Sequence, residues 1–158
     1  MNVKTSEQII GTKILSINSG VGVISGIEAI LEGGEDYYVI KYGNKDVKNY
    51  FPVNQNKKIR FIAPLDEFDK EIQKLKTKET VKTFQNRDER KGYFKSVLQD
   101  GHLNQIIDRV LEIKSIDDLA VDEKEKYNKL IKTLESEASI VFDLGPSKSQ
   151  KLISDLLN

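Results

Sequence analysis

The chain changes its hydrophobic periodicity near Pro64. Before this proline, short apolar runs are separated by turns that contain Gly and Asn, which is typical of a sheet of short strands. After it, apolar residues recur at intervals of three and four almost to the end, which is typical of amphipathic helices. Because the two periods require different elements, we expect an α+β fold with two domains, residues 1–63 and residues 64–158.

Five short strands are predicted in the first part of the chain. They cover residues 12–17, 21–31, 36–42, 46–51 and 59–62. In the second strand, the period of two places four residues on one buried face, namely Val21, Val23, Ile27 and Leu31. The turns at residues 18–20, 32–35 and 43–45 are tight, and such spacing favours a small antiparallel barrel of the SH3 or Tudor type.

Helices are predicted from residue 65 onward. Residues 65–76 and 87–99 carry helical stripes, with Gly101 as a C-terminal cap of the second and a polar loop between them. A firm amphipathic pattern follows from Leu103 to Leu111. Asp122 is predicted to cap a longer helix and Ser147 to cap a last one. Their apolar stripes predict a compact helical bundle.

The composition argues against most enzyme classes. The chain has no cysteine and one histidine, His102, so a thiolate or typical zinc site is not expected. Neighbouring carboxylates such as Asp117 and Asp118 fall at predicted helix starts, where the helix dipole favours anions. We therefore expect a non-catalytic protein without cofactor, metal or small-molecule substrate. No apolar run approaches the ~18 residues of a membrane span. The absence of cysteine fits a reducing cytosol and is compatible with a cytoplasmic location.

The net charge of zero hides an uneven distribution. Residues 41–95 contain 15 basic and 8 acidic side chains, whereas residues 1–40 contain 2 and 5, and residues 96–158 contain 8 and 12. A phosphate backbone responds to the local field, so the basic middle third is compatible with a nucleic-acid partner. A solvated lysine-rich surface would produce the same distribution.

The segment from residue 84 to residue 101 concentrates this charge on a predicted helix. Arg87, Lys91 and Lys95 recur every fourth residue and share one stripe, with Arg90 beside them. Phe84 precedes the helix. It either packs on the helices as a hydrophobic staple or inserts as an apolar wedge into a DNA minor groove. The segment predicts DNA binding through Phe84, Arg87, Arg90, Lys91 and Lys95.

The strand at residues 46–51 is a second candidate interface. If it lies at the edge of the sheet, its backbone can pair with a strand of a partner protein. Lys48 would then contribute to partner binding, or it would act only as a charge that protects the edge from aggregation.

The order of the local motifs resembles the CarD/CdnL family of bacterial transcription regulators. The resemblance lies in GVGVISGIEAI, DYYVIKY and FPV before IRFI, and continues in RDERKGYFKSVLQDG, LNQIIDRVLEI and LESEASIV. It covers the chain from about residue 10 to residue 157.

The resemblance implies a factor that binds the RNA polymerase β subunit through a Tudor-like domain and promoter DNA through a helical domain. A strand of the family's barrel pairs with the β subunit, which here implies Val47, Lys48, Asn49 and Tyr50. The family inserts a Trp into the minor groove at the upstream edge of the transcription bubble. This chain has no Trp, and Phe84 lies near that position. The smaller ring implies weaker stabilisation of the open complex.

Two other functions remain open from the sequence. A protein–protein adaptor would use both parts of the chain for partner proteins without DNA contact. A carboxylate-based hydrolase would need a deep pocket lined by acidic residues.

Overall fold

The structure is a computed structural model that describes residues 9–17, 19–43, 47–54, 59–76 and 80–158. The chain divides into two compact units, Met1–Ile62 and Ala63–Asn158. Within the described residues, the first contains a five-stranded antiparallel sheet and the second contains five α-helices. The predicted α+β class is therefore confirmed.

The strands of the sheet lie close to their predicted positions. They are β1 (Lys13–Ser16), β2 (Gly20–Ala29), β3 (Asp36–Lys41), β4 (Lys48–Pro52) and β5 (Ile59–Phe61). Their ends lie within two residues of the predicted ones, and the differences arise because a strand ends where its ladder of hydrogen bonds ends. Asn18 and residues 44–46, which belong to predicted turns and to the predicted start of β4, lie outside the described residues.

The sheet is open, with the strand order β4-β3-β2-β1-β5. No ladder joins β4 to β5 among the described residues, so the closed barrel predicted from the sequence is not formed. Closure requires the first and last strands of the order to pair. The spacing of turns, on which the prediction depended, determines only which consecutive strands are neighbours.

A β-bulge in β2 overturns the predicted buried face of that strand. The register shifts between Ile24 and Gly26, which leaves Ser25 as the extra residue. Ile24 is 0% exposed, whereas the predicted core residue Val23 is 37% exposed. A period-two pattern that is continued through a bulge cannot stay on one face, because the extra residue reverses the alternation.

Isoleucines form the core cluster of the sheet, with Tyr42 and other half-buried side chains packed against them. The cluster consists of Ile14, Ile24, Ile40 and Ile59. Gly22 permits close packing here, since a Cβ at this position would lie 2.5 Å from Ile40 Cγ2 and 2.9 Å from Tyr42 Cε1. The position requires glycine for space rather than for its backbone angles.

The five helices of the second unit follow the predicted order. They are α1 (Leu65–Ile72), α2 (Arg87–Ser96), α3 (Leu103–Lys114), α4 (Val121–Val141) and α5 (Pro146–Leu157). A 3-10 turn, Gln73–Lys76, extends α1. Residues 77–79 of the predicted loop lie outside the described residues.

Three predicted caps are wrong. The C-terminal cap of α2 is Val97 rather than Gly101, because the helix already ends at Ser96. The cap of α4 is Ala120 rather than Asp122, and the Glu123 side chain accepts the Ala120 backbone N–H at 2.9 Å. The cap of α5 is Gly145 rather than Ser147, because Pro146 occupies the first helical position. Proline suits that position since it has no backbone N–H to satisfy and its φ is already helical.

The helix α4 packs against α1, α3 and α5. Its fully buried residues include Leu130, Leu134 and Ala138, as the stripe predicts, together with Glu137. The backbone of α2 approaches its neighbours less closely, so α2 is attached mainly through side chains such as Phe94 and Val97. Among the described helices, none is both long and apolar enough to cross a membrane.

Candidate partner-binding and nucleic-acid interfaces

The strand β4 forms one edge of the sheet, and its outer side pairs with no other described strand. Tyr50 is 42% exposed, and Val47, directly before the strand, is 57% exposed. Lys48 is exposed and Asn49 is half-buried. The four predicted polymerase-binding residues therefore lie together on an edge whose backbone groups are available to a further strand.

Two lysines lie directly opposite each other on this edge. Lys48 of β4 pairs with Lys41 of β3, and both side chains are exposed. Like charges at directly opposite positions destabilise a sheet. The edge is therefore suited to an acidic partner, which would relieve the repulsion.

The opposite edge, β5, is less suited to strand addition. It contains only three residues, and the Arg60 Nη1 donates to the Phe61 carbonyl oxygen at 3.3 Å. The Phe61 ring packs edge-on against Tyr38, with 6.5 Å between the ring centroids. Short length and a charged side chain over the backbone are the usual protections of an edge strand.

The start of α2 is closed by its own side chains. The Asn86 Oδ1 accepts the Glu89 backbone N–H at 2.9 Å, and the Glu89 Oε2 accepts the Gln85 backbone N–H at 2.6 Å. This reciprocal arrangement is of the capping-box type. The exposed Asp88 adds a further negative charge. The first turn of α2 should therefore bind an anion more weakly than a helix start without these side chains would.

Phe84 packs on the helix that it precedes. Its ring centroid lies 5.4 Å from that of Tyr93 and 6.4 Å from that of Phe94. The segment before it is held by the Lys82 backbone N–H, which donates to Ser115 Oγ at 2.8 Å. Phe84 is half-buried as a result, so one part of the ring is fixed and another part remains accessible.

Tyr93 ties the same region to α3. Its hydroxyl donates to Glu112 Oε2 at 2.6 Å, and the Arg109 guanidinium lies 5.0 Å from its ring centroid. The Lys82 Nζ lies 4.9 Å from the same centroid. Burial, reinforced by the bond to Glu112, raises the pKa of Tyr93, so the phenol stays protonated and continues to donate.

Arg90 is bound to two carboxylates. Its Nε and Nη2 donate to the two carboxylate oxygens of Glu123 at 2.9 and 2.6 Å. Its Nη1 and Nη2 also donate to Asp118, at the side-chain Oδ1 at 3.1 Å and at the backbone oxygen at 2.9 Å. The bond to Glu123 raises the pKa of Arg90, and the bond to Arg90 lowers the pKa of Glu123. Arg90 is therefore a partner of α4 and of the loop before it.

The other predicted cations of α2 are exposed. Arg87, Lys91 and Lys95 have no ion-pair partner among the described residues. Their four-residue spacing places them on one stripe of the helix. The predicted DNA-binding set thus divides into a stripe of three exposed cations and the packed pair Phe84 and Arg90.

An open cleft of about 710 Å³ lies beside Phe84. Cations and carboxylates both line it, so its charge is mixed. The lining residues are Val81, Lys82, Thr83, Phe84, Asn86, Arg87, Arg90, Ser115, Ile116, Asp117 and Asp118.

Sequence reasoning missed two partners in this region. Glu123 is 33 residues from Arg90, so no helical spacing indicates the pair. Lys82 lies outside every predicted element and yet contacts Tyr93. The available signal for Lys82 was its position two residues before Phe84, ahead of a predicted helix.

The comparison with protein families concerns the first unit. Residues 9–63 match the family model described as the CarD-like/TRCF RID domain, and the match includes all five strands. No curated protein matches the chain. This domain is an interaction domain that implies an RNA polymerase partner. Residues 9–63 are thus similar to a CarD-like/TRCF RID domain, and this match supports a CarD-like family assignment.

Proposed function

We propose that this protein is a non-catalytic transcription regulator that binds the RNA polymerase β subunit and contacts promoter double-stranded DNA at the upstream edge of the bubble. Residues 1–63 would form a Tudor-like polymerase-interacting domain, and residues 64–158 a compact all-helical DNA-binding domain. Together they modulate the stability of the open complex. The proposal involves no cofactor and no membrane, and it places the protein at the nucleoid in the cytoplasm.

The observation that carries the polymerase contact is the difference between the two edges of the sheet. The edge at β4 presents Val47, Lys48, Asn49 and Tyr50 on a side that pairs with no other described strand, whereas β5 is short and has Arg60 over one of its carbonyls. A strand of the β subunit would extend the sheet at β4 through backbone hydrogen bonds. Exposed side chains on alternate positions would then provide specificity.

The DNA contact is supported by the exposed stripe of α2. Arg87, Lys91 and Lys95 would bind the phosphates on one side of the duplex, while the accessible part of Phe84 would meet the minor groove. Contacts of this kind orient a protein on DNA without reading the sequence. Binding would therefore be modest, and it would fall steeply as salt increases.

The polymerase contact is tested with two exposed aromatic residues on opposite edges. In the full-length protein, Tyr50→Ala should weaken binding to the polymerase β subunit by about tenfold, which corresponds to the loss of one well-packed interface side chain. Phe61→Ala on β5 is the matched control and should leave binding unchanged once folding is verified by circular dichroism. If only Phe61→Ala lost binding, the polymerase would bind at β5 and the proposed contact at β4 would be wrong.

The DNA contact is tested by the salt dependence of binding. Each of Arg87→Gln and Lys91→Gln should reduce the slope of log K against log salt by about 0.9, because one phosphate contact is lost. Lys148→Gln removes the same charge from an exposed position of α5 and should leave the slope unchanged. Equal slopes in all four proteins would remove the α2 stripe from the proposal.

The alternative is an adaptor that makes no direct DNA contact. The two carboxylates in the mixed lining of the cleft favour it, since Asp117 and Asp118 line the same cleft as Phe84 and repel phosphate. An adaptor would bind polymerase normally and show no salt-dependent affinity for duplex DNA. The same titration therefore separates the two functions.

A further inference from the structure

The donors of Arg90 are almost fully used within the protein. A guanidinium has five N–H donors, and four hydrogen bonds already join Arg90 to Glu123 and Asp118. One positive charge faces two carboxylates at this point. A phosphate that approached Arg90 would meet a locally negative site, and only one N–H of the guanidinium would be free to donate to it.

Arg90 also contacts the aromatic residue of the proposed interface. Its guanidinium carbon lies 6.0 Å from the ring centroid of Phe84 and 6.0 Å from that of Phe94. This is the outer limit for a cation held over an aromatic face. The arginine thus lies between α4 and the ring that would meet DNA.

Glu123 is well placed to hold Arg90 in this position. It is 9% exposed, and its Oε2 accepts the Ala120 backbone N–H at 2.9 Å as well as the Arg90 Nη2. The carboxylate is therefore fixed to the first turn of α4. A continuous set of contacts runs from α4 through Glu123 and Arg90 to Phe84.

From this geometry we propose that Arg90 is a positioning residue, held by Glu123, and that the DNA partner is bound through three phosphate contacts at Arg87, Lys91 and Lys95. The inference rests on the proposed DNA contact and refines it. Arg90 fixes the orientation of Phe84 and of the start of α2, while the three exposed cations meet the backbone of the duplex. The wild-type salt slope should accordingly be about 2.7, rather than the 3.6 or so of four contacts.

The distinguishing variant is Glu123→Gln in the full-length protein. This change removes a negative charge near the DNA, so a purely electrostatic role predicts tighter binding. A positioning role predicts weaker binding, by about fivefold or more, because the ion pair with Arg90 is lost and only one of the two acceptor oxygens remains. Asp88→Asn is the matched control: it removes an exposed carboxylate from α2 and should tighten binding.

Arg90→Gln provides the second measurement, with a short duplex oligonucleotide as the probe. Its affinity should fall while the salt slope stays at the wild-type value, whereas Arg87→Gln should reduce the slope by about 0.9. The exchange variant R90E/E123R should recover part of the lost affinity, since the ion pair is restored with the same net charge. A phosphate contact could not be recovered by moving the cation to α4.

The outcomes separate the two proposals. A reduced slope in Arg90→Gln, tighter binding in Glu123→Gln, or no recovery in the folded exchange variant would each make Arg90 a phosphate ligand and overturn the inference. The proposed DNA contact would survive any of these results. A wild-type protein without affinity for the duplex would overturn the DNA contact and the inference together. Thermal unfolding of each variant identifies those that bind less only because they are unfolded.

Discussion

The side-chain carboxylate of Glu137, fully buried in α4, accepts the backbone N–H of Ala63 at 3.0 Å. The next residue, Pro64, caps α1, and its carbonyl accepts the Phe68 N–H at 2.9 Å. A buried carboxylate is costly unless it is hydrogen-bonded, so its presence indicates a specific structural task. Glu137 fixes the path of the chain where the second unit begins.

Replacement of Glu137 should therefore destabilise the second unit. We expect Glu137→Ala to reduce the free energy of unfolding by about 2–3 kcal/mol, because the Ala63 N–H loses its acceptor and a cavity is left. Glu137→Gln keeps an acceptor of the same shape and should cost less. Chemical denaturation of the two variants gives the comparison, and equal losses would assign the effect to the charge rather than to the bond.

The stability contributed by Glu123 should depend on pH. Its pKa is lowered below the ordinary value of 4.5, first by the hydrogen bond from Arg90. A lowered pKa stabilises the folded state above the ordinary value, and this stabilisation is lost as the pH falls through the lowered one. The difference in unfolding free energy between wild type and Arg90→Gln should thus be largest near neutral pH and shrink below pH 4.5.

Denaturation at several pH values between neutral and acidic checks this expectation. Glu125→Gln removes an exposed carboxylate from the same helix and should track the wild type throughout. A difference that stays constant with pH would mean that Arg90 stabilises the fold by packing alone.

Two glycines of β2 should respond in opposite ways to alanine. A Cβ at Gly22 would lie 2.5 Å from Ile40 Cγ2, whereas a Cβ at Gly26 would meet no atom within 4 Å. We expect Gly22→Ala to cost about 1–3 kcal/mol through overpacking. Gly26→Ala should be neutral or slightly stabilising, since it restricts the unfolded chain. Similar thermal midpoints for the two variants would contradict the close packing described at Gly22.

The pair of Lys41 and Lys48 should lower the stability of the isolated protein and strengthen its binding to an acidic partner strand. Lys41→Thr removes the repulsion with Lys48, so the isolated protein should gain a few tenths of a kcal/mol, within the usual range for a cross-strand pair of about 0.2–1 kcal/mol. Binding to the polymerase β subunit should weaken at the same time if the partner strand is acidic. Calorimetric binding and thermal unfolding of the same variant measure both effects. Unchanged binding would leave the pair without a role in recognition.

The elements of the fold were predictable from the sequence because they depend on local patterns. Short apolar runs between turns located every described strand, and the apolar stripe from Leu103 to Leu111 located α3 within a few residues. The buried face of β2 was not predictable, since the bulge at Ser25 leaves no mark in the pattern. The opening of the sheet depends on whether β4 meets β5, which is a long-range relation.

The candidate site was predictable only in part, for the same reason. The exposed stripe of Arg87, Lys91 and Lys95 follows from helical spacing alone. The burial of Arg90 depends on Glu123, which lies on another helix and becomes its neighbour only in the folded chain. Residue types therefore indicated which side chains carry charge, but the fold decides which charges are left for a partner.

The poor suitability of the β5 edge for strand addition has a consequence for assembly. Because β5 has only three residues and Arg60 bonds to one of its carbonyls, this edge offers little backbone to a further strand. The sheet can therefore accept a partner strand at β4 but is poorly suited to accept a second one at β5. Each copy should accordingly take up one partner strand, in a one-to-one complex, and should resist growing into edge-to-edge fibres even when it is highly concentrated.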